Sequence, residues 1–158
     1  MAVKTLSDAV TAALQSYAER GVFRGFRTTP LARGRTDYHF HWLLRRSMHA
    51  MLDTRRGVLT FPALFPGVDT NSSMVSTLNA IVRRRTSARE AAHKRIDGRR
   101  ARVTTIVRRG EWSLIVHVRG ANGEYAVQRA LNLINELFVA LHESYPDYLV
   151  ERFGLSAE

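Results

Sequence analysis

Two histidines flank a phenylalanine in the stretch YHFHWLL, residues 38–44. On an extended strand alternate side chains point the same way, so His39 and His41 share a face about 7 Å apart. Two imidazoles at that spacing hold a metal ion only if a third ligand converges on them. His49, His117 and Asp37 are the residues that could supply it. The simpler reading is that Tyr38, Phe40, Trp42 and Leu44 form a core face and the histidines occupy the other one. Arg45 and Arg46 follow directly and would repel a cation. The expectation is therefore that the His39–His41 pair is not a tight metal site and that the protein carries no metal and no cofactor.

Charge is the second chemical signal. Twenty-four Lys and Arg stand against 14 Asp and Glu, a net of +10. The last 38 residues carry a net of −4, so the first 120 stand at +14. The densest stretch, RRRTSAREAAHKRIDGRR over 83–100, has eight Lys/Arg and two acids. Such a field attracts polyanions or acidic protein segments, although a basic composition is also what a solvated helix and loop would show. The candidate binding surface is Arg83, Arg84, Arg85, Arg102, Arg108, His117 and Arg119, with His39 and His41.

Other chemistry is poorly marked. With no cysteine in the chain, disulfides, cysteine-ligated zinc and thiol catalysis are excluded. RGANGEY, residues 119–125, places two glycines before a helix without the spacing of a phosphate-binding loop. No serine lies in a nucleophile-elbow context. Enzyme is the least supported class. No apolar run approaches the ~18 residues of a membrane span, and no signal peptide is visible, so a soluble cytoplasmic protein of a bacterium is expected.

The elements that must position these residues follow from periodicity. TLSDAVTAALQSYAERG reads as a helix with Thr5 and Asp8 in capping-box spacing. VFRGFRTTP is a short strand stopped by Pro30. TDYHFHWLL alternates with period two, and a helix over Tyr38–Asp53 competes with it, since Phe40, Leu44, Met48 and Met51 also have helical spacing. The aromatic residues favour the strand. SMHAMLDTRRGVLTF becomes a strand pair turning near Thr54–Gly57, and the two prolines of PALFPGVDTNSS end the sheet. A second helix starts around Asp69–Ser72, and Ser87 with Glu90 caps a further short one. ARVTTIVRRGEWSLIVHVRG is a hairpin turning at Arg109-Gly110, which sets Arg102 opposite His117 and Arg108 opposite Glu111. Its Val103, Thr105, Val107, Trp112, Leu114, Val116 and Val118 share the core face. A long helix starts near Asn122, which caps it, and Pro146 breaks it. DYLVERFG adds a short amphipathic turn.

Residues 1–158 thus form a single α+β domain in two layers, an antiparallel sheet with helices on one face, in the order α-β-β-β(-β)-α-β-β-α. This element order resembles the type III secretion chaperone-like superfamily and its YbjN-type members, over most of the chain and by order alone. The resemblance implies a small, non-enzymatic, dimeric protein that holds a segment of another protein. Those chaperones are generally acidic and this chain is basic, so none of their site residues is carried over. The expected partners are an acidic protein segment or a second copy of the chain in a homo-oligomer. Sequence-nonspecific nucleic-acid binding is the alternative, a histidine-metal enzyme is the second alternative, and no membrane is involved.

Overall fold

The computed structural model describes residues 5–43 and 47–154. Helix α1, Leu6–Glu19, begins where the Thr5 hydroxyl accepts the Asp8 N–H at 3.0 Å, and it buries Val10, Ala13 and Leu14. Four strands follow: β1 Arg24–Pro30, β2 Arg35–His41, β3 Met48–Asp53 and β4 Val58–Phe65. Helix α2, Ser73–Thr86, is capped by Ser72. The hairpin β5 Ala101–Arg108 and β6 Glu111–Val118 comes next, then α3 Gly123–Ser144 and α4 Pro146–Phe153.

All six strands join one antiparallel sheet in the order β1-β2-β3-β4-β6-β5. The hairpin enters with β6 against β4, so β5 is an edge and β1 is the opposite edge. One face of the sheet is closed. Tyr38, Phe40, Ala50, Leu52, Leu59, Phe61, Trp112 and Leu114 are fully buried there. Helix α3 supplies most of the facing layer, burying ten residues between α1, α2, α4 and β6. The alternation read from the sequence survives as burial: β2, β3 and β6 each bury every second residue.

Residues 38–41 and 48–53 are strand and not helix, which leaves the helical spacing of Phe40, Met48 and Met51 as coincidence, while Leu44 lies outside the described residues. The hairpin has the expected register, Arg102 opposite His117 and Arg108 opposite Glu111. Its two turn residues take φ of 54° and 75°, the left-handed pair that a two-residue hairpin turn demands. Trp112 is buried and donates its indole N–H to Asn79 Oδ1 at 3.0 Å, and Thr105 donates to the same oxygen at 3.1 Å. One α2 side chain thus ties down both strands.

Three expectations are corrected. Pro62 does not end the sheet, because β4 runs through it to Phe65 and stops only before Pro66. A bulge between Phe61 and Phe65 absorbs the proline, with Ala63 at φ 49° and its N–H given to Ser113 Oγ at 2.9 Å instead of to the ladder. Ser87 and Glu90 start no helix. The Ser87 hydroxyl accepts the Arg89 N–H in a local turn, and the chain returns as loop to Ile96, which is buried. Asn122 occupies the cap position of α3 without capping it. Its side chain accepts from Arg100 Nε and donates to the Arg119 carbonyl.

Candidate functional site

The sheet face away from the helices is open. It carries His39 and His41 from β2, His49 and Met51 from β3, Val58 and Thr60 from β4, Ile115 and His117 from β6, and Arg102, Ile106 and Arg108 from β5. Each of these side chains is half-buried or exposed. A shallow trough crosses this face. One part runs past Arg35, Met51, Val58, Thr60, Ile115 and His117, and the next past Thr60, Ile106, Arg108, Arg109 and Ile115. Met51, Val58, Ile106 and Ile115 give it apolar patches beside Thr60 and Ser113, and its rim carries Arg35, Arg56, Arg108 and Arg109 together with Asp53 and Glu111. Among the described residues no Phe, Tyr or Trp reaches this face; the aromatic side chains of the strands point into the core.

The predicted surface splits in two. Arg102, Arg108, His117, His39 and His41 lie on the open face. Arg119 extends just beyond β6, exposed, with its N–H bonded to the Arg100 carbonyl. Arg83, Arg84 and Arg85 lie elsewhere, at the end of α2 in the helical layer. There Arg84 and Arg85 both bond to Glu136 of α3, Arg84 also lies 3.7 Å from Glu90, and Arg85 donates to the Lys94 carbonyl. Arg99 pairs with Asp97, whose carboxyl is held below its usual range by the Arg99 backbone and side-chain hydrogen bonds. Arg100 lies over the Tyr125 ring at 3.8 Å. Arg102 and Arg108, by contrast, have no ion pair among the described residues. The basic sequence from 83 to 119 is therefore not one continuous surface.

The histidines also regroup. His39 and His41 share a face as expected, yet they are not the close pair. His41 sits at the sheet margin beside the bulge of β1, against Gly25, where an added Cβ would lie 3.3 Å from its Nδ1. His39 is opposite His49 in the β2–β3 ladder, and their rings stack with centroids 4.6 Å apart and planes 8° off parallel. Asp37, two residues before His39, reaches the same spot, with Oδ1 3.2 Å from His49 Nε2. Asp37, His39 and His49 each offer a ligand atom, all within 4.8 Å of one another. His117 lies in the trough on β6 and does not join them. Arg45 and Arg46 lie outside the described residues. Partial burial, then the neighbouring His49 and Arg27, lower the pKa of His39, while Asp37 opposes them. The balance favours its neutral imidazole.

The signal for His49 was the cross-strand register and not the sequence spacing. A directly opposite pair comes closer than two residues along one strand. No protein-family model, curated protein or solved structure matches the chain.

Proposed function

We propose that this protein is a non-enzymatic binding module that holds an acidic segment of another protein across the open face of its sheet. The observation that carries the reading is the trough, where Met51, Val58, Ile106 and Ile115 lie beside Arg35, Arg108 and Arg109, three arginines without an ion pair among the described residues although Asp53 and Glu111 line the same trough. An extended acidic-apolar segment complements both parts at once. Nucleic acid is the weaker fit, because single-strand readers stack bases on exposed aromatic rings and none of the described residues places one on this face. A homodimer belongs to the same reading. Strand β5 is paired on one side only, and such an edge is a ready template for another chain.

The test is fluorescence anisotropy with a labelled peptide of alternating Glu and Leu beside a labelled single-stranded DNA of equal charge. The expected result is tighter binding of the peptide, weakened roughly tenfold or more when Arg102→Glu and Arg108→Glu are combined, in line with the cost of like-charge juxtaposition. DNA binding that exceeds peptide binding, or peptide binding indifferent to both substitutions, overturns the proposal. Sedimentation giving the mass of one chain at every concentration removes the dimer.

A further inference from the structure

Beside the trough, the Asp37–His39–His49 cluster has a feature that a surface ion pair does not explain. Asp37 Oδ1 and His49 Nε2 are both closed to solvent, and neither has a hydrogen-bond partner. They lie 3.2 Å apart without forming a hydrogen bond to each other. Two polar atoms shielded from water and left facing each other are costly unless something else satisfies them. A cation that accepts a lone pair from each of them does so.

We propose that Asp37, His39 and His49 bind a divalent transition-metal ion of the zinc class on the open face of the sheet. Two imidazoles and one carboxylate form a donor set that this class prefers, whereas calcium and magnesium require oxygen ligands throughout. The dimensions agree. A zinc ion about 2.0–2.2 Å from each ligand places those ligands roughly 3–3.6 Å apart. The three atoms already lie within 4.8 Å of one another, and the two rings, now stacked 8° from parallel, must tilt toward each other to bring both in-plane lone pairs onto one ion. Two of the ligands are opposite each other in a ladder and the third is two residues along the same strand, so the backbone that carries them is held by the sheet and not by a loop.

The test is zinc titration of the intact protein by calorimetry, with Co2+ absorption as a second probe. One equivalent per chain is expected. Asp37→Asn, His39→Gln and His49→Gln should each weaken binding by at least the roughly 10–100-fold that loss of even an outer-shell partner costs. His41→Gln and His117→Gln should leave it unchanged. No binding of either ion overturns the assignment, as does binding that survives all three substitutions or depends on His41 or His117. Should a variant fold poorly, Co2+ relaxation in the native protein reads the same contact. Imidazole protons of His39 and His49 should broaden first, and broadening first at His41 or His117 overturns the site. The peptide assay does not depend on this site, so failure here leaves the docking reading standing, and the reverse.

Discussion

The arginines of α2 and the loop after it differ from those of β5 in what surrounds them. Arg84 and Arg85 reach Glu136, and Arg99 reaches Asp97. Arg102 and Arg108 stand exposed on an edge strand, and Arg108 lines the trough. The two groups are neighbours in the sequence, and the paired one lies in the denser stretch, with eight Lys/Arg in residues 83–100 against four in 101–119. What separates them is the helix packing that brings the acidic end of the chain onto its basic middle, at the α2–α3 contact. Charge segregated along a chain is thereby partly neutralised in space.

The comparison depends first on the hairpin's faces. Trp112→Ala should cost about 3–5 kcal/mol in urea unfolding, as truncation of a buried aromatic does. A loss under about 1 kcal/mol would place the tryptophan outside and the arginines inside, and the contrast would collapse. Next in size is Glu136→Ala. It removes the common acceptor of two arginines, one of them only 15% exposed, and should destabilise by about 1.5–3 kcal/mol. Its double-mutant cycle with Arg85→Ala should show coupling, and strict additivity would mean that the pairs are incidental. Smallest in stability is Arg102→Ala with Arg108→Ala, expected to stay within about 0.5 kcal/mol of wild type, as exposed substitutions do. A larger loss would reveal a structural role for side chains read here as free.

The difference between the two arginine groups was not legible in the sequence, and the reason is physical. Hairpin geometry is local: period two plus an Arg-Gly turn fixes which residue faces which, so Arg102 opposite His117 followed directly. Helix-to-helix placement is not local, and nothing around Arg84 announces Glu136, 52 positions on. The histidines repeat the lesson. His39 and His41 are tied by spacing along one strand, but His49 is tied to His39 by a register that no tight turn sets, since six residues separate β2 from β3. Pro62 misled in the opposite direction, because a bulge can carry a proline that a regular ladder cannot.

The last prediction uses duplex DNA as a charge ruler and not as the partner. Any protein this basic should bind duplex weakly at low salt, and each arginine contacting a phosphate adds about 0.9 to the slope of log affinity against log salt. If neutralisation follows the ion pairs seen here, replacing Arg83, Arg84 and Arg85 together with alanine should lower that slope by about one, because Arg84 and Arg85 already serve Glu136. Replacing only Arg102 and Arg108 should lower it by nearly two. The smaller set of substitutions thus has the larger effect, an ordering that composition alone would never produce. A drop near three for the triple variant, as three free arginines would give, would mean that the α2 arginines leave Glu136 for a polyanion. It would also make the helical layer, and not the sheet, the face that meets one.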